Sequence, residues 1–551
     1  MYALTLSAVL MQRIGGIKMS SRRFALTGVA LAALALSACS QKQSTKNEQD
    51  LNWSVGGEIT TMDPSKATDV VSFTQMINSM EGLYRNVKQG QEPGLATSAK
   101  VSKDGLTYVF KLRKSKWNDG TPVTAKDFVY SWRRTVNPKT EAEYAYLFSG
   151  IKNADAIQNG KKPVSSLGIK AVGKYQLVVT LEKRMAYFKD LMAFPVFFPQ
   201  EERAVRKYGD KYGTASKYMA YNGPFLQKGW SGSNLSWKLV KNPDYWDKDQ
   251  VKLDQISFTV NKTASTAYNL YESKKIDALG LDSNLTKQFK DKSGYYSLAN
   301  GGTYYLELNE KNPNLASSNI RKAISLAINR EDLVRILGGN NQAASTYTAK
   351  GLTSVKGQDY TSLISTSAKK LYKYQPSLAK EYWQKGLSEL GKSGMTLNLL
   401  TSDSDSAKKT GEALQSMLET KLPGLKITVT SVPFKTRLAR RESGKFQLCG
   451  SDWIADFGDP ISFLELLTSS NASNYGSWKN SRYDQLIAAS KDTNDQAARM
   501  KDMSEAESIL LSDAGVVPIY YEDDAWLIRP SVKGWVCNRS EWNFKKAYVS
   551  K

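Results

Sequence analysis

Apolar and polar residues alternate along TYVFKLRKS from Thr107, YQLVVTLE from Tyr175 and LSWKLVKN from Leu235, the period-two pattern of half-buried strands. Elsewhere the period changes to three and four. TAKDFVYSWRRTV opens on Thr124, a fitting N-cap, and sets Phe128, Val129 and Trp132 on one helical face. NIRKAISLAINREDLVRIL, from Asn319, keeps helical spacing and stops before Gly338 and Gly339. SLAKEYWQKGLSELGKSG, from Ser377, is a helix ended by glycine, and MTLNLL after it is a strand. Strands and helices alternating in this way predict an α/β fold.

Ahead of this pattern, Ser21 to Ser40 read SRRFALTGVALAALALSACS: two arginines, an uncharged stretch from Phe24 to Leu36, then small residues. That is the order of a secretory signal, and it is too short for a span of roughly 20 apolar residues. The closing LSAC resembles a bacterial lipobox, so residues 1–38 are expected to be cleaved, Cys39 acylated, and 39–50 left as a polar tether. A second apolar stretch, Met1 to Leu10, lies upstream. Gly15 and Gly16 need GGN codons before Met19, as a ribosome-binding site would supply, and synthesis is expected to start at Met19.

The 551 residues are 41% hydrophobic, more than one ordinary core holds, so two or three domains are expected. Histidine is absent. Ser/His/Asp and Cys/His nucleophiles, imidazole general bases and imidazole metal sites are therefore excluded, and the chain is read as not an enzyme, with no cofactor and no metal. Lys+Arg total 76 against 53 Asp+Glu, a net +23 that falls to +19 once residues 1–38 are removed. This charge suits an anionic wall or membrane surface. Nucleic acid is not expected as a partner, because the basic residues are scattered among acids. After Cys39 only Cys449 and Cys537 remain, either paired, as an exported protein permits, or as two buried thiols.

Several strings carry a recognisable pattern. SKDGLTYVFKLRKSKWNDGTPVTAKDFVYSWRRTVNP from Ser102 is followed by YNGPF at Tyr221, KNPDYWD at Lys241 and GTYYLELN at Gly302, then NIRKAISLAINRE at Asn319, DWIADFGDPISFL at Asp452 and VVPIYYE at Val516. In this order they resemble the family 5 extracellular solute-binding proteins, the oligopeptide-binding component of ABC importers, over essentially the whole mature chain. Read by themselves, WNDGTPVTAKDF is a turn entering a helix, KNPDYWD a turn with aromatic packing, and ADFGDP a strand end meeting a Gly-Asp-Pro turn.

The resemblance implies a three-lobed periplasmic-binding-protein-like α/β fold of the cluster C type, with two main lobes joined by a hinge. Lobe I would take 51–80, 200–301 and 524–551, lobe II 81–199 and lobe III 302–523. It also implies that Asp456 holds the α-ammonium of a bound peptide, whose main chain pairs like an added strand with backbone near Val70 and from Asp452 through Trp453 to Ile454. Tyr144, Tyr304, Tyr305, Phe434 and Trp453 fall where the family lines side-chain pockets, and Arg441 where it approaches ligand side chains. Ser325, Ala407 and Gly450 stand where some relatives carry basic or imidazole groups for a peptide's carboxyl end. Gly302 and Ile454 replace the cysteines of a disulfide beside the cleft.

The function implied is capture of oligopeptides in an interlobe cleft and delivery to an ABC transporter permease. The ATPases would be separate subunits, since the chain has no GxxxxGK[ST] loop. A monomer is expected, anchored through Cys39 on the outer face of the membrane of a Gram-positive cell. The alternatives are a peptide pheromone receptor, or binding of dipeptides, nickel complexes or cell-wall peptides by the same fold.

Overall fold

The computed structural model describes residues 49–551 apart from Gln89, Lys356 and Asn494. The export signal, the start at Met19 and the acylated Cys39 lie outside the described residues. The α/β class is as expected. An eleven-stranded mixed sheet runs in the order Leu425–Val432, Met395–Ser402, Leu448–Ile454, Tyr295–Leu308, Val516–Ile528, Ala278–Gly280, Asp50–Val55, Gln255–Val260, Ser236–Lys241 and Phe225–Lys228, with Gln342–Ala343 added beside Val516–Ile528. A separate four-stranded antiparallel sheet contains Ala96–Val101, Thr107–Leu112, Gln176–Thr180 and Ile169–Val172. The alternating runs from Thr107, Tyr175 and Leu235 thus all lie in strands.

Two strands are far longer than the usual five or six residues: Tyr295–Leu308 and Val516–Ile528, paired antiparallel from Tyr295 opposite Leu527 to Glu307 opposite Val516. Their register shifts between Ala299 and Gly302 and again between Tyr304 and Tyr305. Gly301 has φ +68°, open to glycine at little cost, and the Asn300 side chain accepts a hydrogen bond from Gly302 N at 2.7 Å. The expected boundary 301/302 lies within this first bulge, and 523/524 lies opposite Ala299 and Leu298, just before it.

The helical run from Asn319 is two helices, Ser318–Ala327 and Arg330–Leu337. Asn329 caps the second by accepting from Asp332 N, and buried Arg330 donates to the carbonyls of Ser325 and Ile328 at the break and to those of Tyr372 and Pro518 beyond it. The run from Thr124 forms the helix Ala125–Val136, closed by a capping box in which Thr124 N donates to Asp127 Oδ2 at 2.7 Å. KNPDYWD is scaffold too: Tyr245 and Trp246 donate to the buried Glu81, which also pairs with Arg85 at 3.2 Å.

Trp53 sits at the centre of one core, stacked on Trp526 at 5.4 Å and edge-on to Trp542 and Phe544. This packing ties the first strand to the last segment of the chain. Among the described residues Cys449 and Cys537 are unpaired, the first buried with Leu400 and Phe446, the second on a hairpin opposite Trp542.

Candidate functional site

The strand Leu448–Ile454 is paired with Tyr295–Leu308 along its whole length, but with Met395–Ser402 only at Leu448 and Cys449. From Gly450 to Ile454 its other edge meets no strand among the described residues. That edge borders a cavity of about 480 Å³, which Gly450, Asp452, Trp453, Ile454 and Asp456 all line. An open edge of this kind presents main-chain donors and acceptors to any extended chain laid against it. Across the cavity the helix Val70–Ser79 points its N-terminus inward, with Asp69 as N-cap accepting from Ser72 N at 2.8 Å. Val70 is thus the first residue of a helix, where its N–H has no partner within the helix.

Past the strand the chain enters the ADFGDP turn. Asp456 N donates to Ser462 Oγ at 2.9 Å, which positions the side chain. Its carboxylate accepts from Tyr144 Oη at 3.2 Å and from Ser462 Oγ at 3.4 Å, and among the described residues it forms no ion pair. Burial, followed by the nearby charge of Glu541, pushes this carboxyl well above its ordinary range; Tyr144, Arg539 and Ser462 oppose the shift. A group of this kind is poised for an external cation.

Of the ten expected peptide-binding residues, Val70, Tyr144, Tyr304, Phe434, Arg441, Asp452, Trp453, Ile454 and Asp456 line the cavity. Tyr144 and Trp453 stack beside the anchor at 6.1 Å and 18°. Tyr304 stacks on Tyr520 at 4.8 Å, with its hydroxyl against Gly450: a Cβ there would stand 2.1 Å from Oη. Phe434 opens the helix Phe434–Glu442 and faces Gly57 from the opposite side.

Tyr305 departs from the expectation. Its side chain follows that of Tyr304 on the strand and therefore takes the other face, where it is buried against Tyr347 and accepts from Arg441 Nη2 at 2.8 Å. Arg441 borders the cavity, but its guanidinium is committed to Glu307 at 2.5 Å, to Tyr305 and to the Tyr475 ring. Ser325 is buried away from the cavity, donating to Leu371 O at 2.8 Å, whereas Ala407 and Gly450 do line it. Gly302 and Ile454 lie directly opposite each other on paired strands.

Sequence reasoning missed much of the wall. Tyr520, Glu522 and Asp524 share one face of their strand at two-residue spacing, a signal that was available. Burial, and then the charges of Asp452 and Asp524, push the Glu522 carboxyl well up. Arg437 reaches Asp452 at 3.5 Å. Arg539 and Glu541 come from a hairpin more than eighty residues beyond the anchor, and nothing in their local pattern marks them. The described lining holds seven carboxylates and three guanidinium groups, so an acidic cavity sits in a basic chain. Among the described residues no group of three or more Cys, Asp or Glu side chains could hold a metal ion, and no helix is long and apolar enough to cross a membrane.

Comparison with known proteins places this geometry. Residues 90–475 match the bacterial extracellular solute-binding proteins, family 5 Middle. A dipeptide-binding protein of Lactococcus lactis subsp. cremoris is 35% identical over 545 residues, covering 95% of this chain and 98% of the relative. The structure of Listeria monocytogenes OppA bound to peptide superposes with a TM-score of 0.88 at 38% identity, covering 92% of this chain and all of that one. The murein tripeptide-binding protein MppA of Escherichia coli, 30% identical, superposes at 0.84 over 92% of this chain and 99% of its own. The unliganded open form of MppA, also 30% identical, reaches only 0.59 over 91% and 98%.

Proposed function

This chain belongs to the bacterial extracellular solute-binding proteins of family 5, and on that premise we propose that it is a lipid-anchored receptor that captures oligopeptides in its cavity and hands them to an ABC transporter permease. The observation that carries the reading is Asp456: a half-buried cavity carboxylate with no ion-pair partner among the described residues, at the end of an open strand edge and beside an aromatic wall. The α-ammonium of a peptide supplies the missing charge, and its main chain adds to the edge from Asp452 to Ile454, beyond Gly450, whose carbonyl accepts from Arg437 Nη1 at 3.0 Å. A charge-assisted bond in such a site is roughly twice as strong as a neutral one. Main-chain pairing ignores side-chain identity, and stacked rings offer broad apolar surface with few rotors to order, so many sequences fit.

Closure is part of the same proposal. Contacts from the 81–199 segment to the 302–523 segment include the anchor, where Tyr144 meets Asp456 and Trp453, and continue beyond it, with Tyr187 stacked on Phe457 at 4.8 Å, Lys491 donating to Ser149 Oγ at 2.9 Å, Tyr475 donating to Glu143 and Lys183 paired with Asp492. The likeness to a peptide-bound relative, and the weaker likeness to an open unliganded one, support reading this arrangement as the closed state. The three lobes move about the bulged strands at Gly301 and open the cavity. Attachment through Cys39 keeps the monomer near the permease on the outer face of the membrane.

Calorimetric titration with a tetrapeptide and with its N-acetylated form tests the reading. Binding of the free peptide with loss of the acetylated one is the expected result, and equal affinity would overturn it. Mass spectrometry of peptides that co-purify separates general uptake, seen as a mixture, from signalling, seen as one species.

A further inference from the structure

A hairpin near the C-terminus reaches the anchor from the far side of the cavity. Its strands Val536–Asn538 and Glu541–Asn543 pair antiparallel. The stem is fastened to the helix Val70–Ser79: Asn78 Nδ2 donates to Trp542 O at 2.6 Å, and Phe544 N donates to Asn78 Oδ1 at 2.8 Å. At the tip, Arg539 and Ser540 are both left-handed, with φ 48° and 62°, a conformation that two-residue hairpin turns ordinarily give to Asn-Gly or Asp-Gly. Surrounding contacts hold it: Ser540 Oγ donates to Asp524 Oδ2 at 2.5 Å. The Arg539 guanidinium passes beside the anchor turn, with Nη2 3.1 Å from where a Cβ on Gly458 would stand, two residues beyond Asp456. Arg539 and Glu541 both line the cavity.

The charges gathered there do not cancel. Asp456 and Glu541 are acids, and Arg539 is the cation that acts on both. Asp190 also faces Arg539 but is exposed to water, which screens it. Tyr144 and Tyr146 face Asp456 from the remaining side and are neutral.

We infer that Arg539 is a positioning residue for the ligand's amino end: it is the cation that Asp456 and Glu541 share, so that with both acids ionised the empty anchor carries one net negative charge and takes one ammonium group. This rests on the proposal that Asp456 receives an α-ammonium. Without the guanidinium, two enclosed carboxylates would repel, and one would take up a proton that an incoming ammonium must then displace. Burial already pushes Asp456 well up and Glu541 up to about 7, and Arg539 opposes both shifts. Affinity is therefore lost as pH falls through the titration of the empty site, and removing Arg539 moves that loss to higher pH.

The test uses the mature protein freed of carried-over peptide, an Ala-Xaa-Xaa-Ala library and its N-acetylated twin. Retained peptide is measured from about pH 5 up to the amine's own pKa near 8. Arg539→Gln is expected to raise the pH of half-retention by roughly one unit, the scale on which a neighbouring opposite charge shifts a carboxyl. Arg539→Lys is expected to stay near the wild type, and Glu541→Gln to move the midpoint down. A purely structural role would lower retention alike at every pH. Midpoints unmoved in the variants that fold overturn the inference, and Glu541→Gln, which keeps the side chain's shape, decides it if Arg539→Gln does not fold. Equal retention of both libraries by the wild type, or of neither, overturns the α-ammonium reading and this inference with it.

Discussion

Asp456 and Asp459 follow the same strand, separated by Phe457 and Gly458; Asp459 is buried, and Asp456 is half-buried against the cavity. Asp459 accepts from Arg499 at 2.9 and 3.2 Å, through both carboxylate oxygens, and from Ile461 N at 3.1 Å. Among the described residues, the side chain of Asp456, on the cavity side, accepts from two hydroxyls, at 3.2 and 3.4 Å. The contrast separates two uses of one residue type. A carboxylate whose partners all come from the chain holds the turn in place, and one left short of partners holds something brought from outside.

The largest effect is expected where the filled site is emptied. Asp459→Ala leaves Arg499 buried without its partner, a change worth about 3–5 kcal/mol of stability, and a thermal melt close to the wild type would erase the distinction. Next comes the open site: Asp456→Asn should weaken peptide binding by about 2–5 kcal/mol, the range for losing one member of an enclosed charge pair, read by calorimetry.

Stability should respond to Asp456→Asn in the opposite sense. The Asp456 carboxyl is raised in the folded state, so its contribution to stability is present below the ordinary carboxylate range and is lost as pH rises through its folded value. Peptide-free wild type should therefore lose ground to Asp456→Asn as pH increases from that range. Parallel melting curves across pH would mean that Asp456 is not strained by burial.

A smaller effect is expected at Gly450→Ala. The new methyl would displace the Tyr304 ring from Tyr520, an overpacking cost of about 1–3 kcal/mol, visible in melting and in weaker binding together. The smallest concerns salt: between low and moderate ionic strength the affinity of the enclosed anchor should change by no more than about twofold, since screening acts mainly on exposed charges. A steep fall would move the attraction to the basic surface.

Much of this contrast was legible from local chemistry. The ADFGDP turn, the cap at Thr124 and the strand from Thr107 are set by neighbours in sequence, and the structure places all three as read. The expected role of Asp456 came from family likeness; its enclosure and missing partner came from the fold. Likeness marks the pair Tyr304 and Tyr305, whereas strand alternation sends only Tyr304 into the cavity. Nothing local to Arg441 marks its commitment, because the acid that holds it, Glu307, lies 134 residues away. The break at Asn329 was hidden because its flanks keep helical spacing; the cap and the carbonyls bound by Arg330 decide it. Arg539 gives no local sign, for its importance depends on its place beside Gly458 and on its charge acting on Asp456, both of which only tertiary folding creates.

The half-paired strand Leu448–Ile454 has one further consequence. On an outer surface such an unmatched row would be a template for aggregation, recruiting any stray extended chain, its own copies included. Walled in by the Val70 helix, Phe434 and the Arg539 hairpin, it is sheltered from everything too bulky to enter. The same hazard that other sheets blunt with lysine or proline is here kept intact and put behind a door.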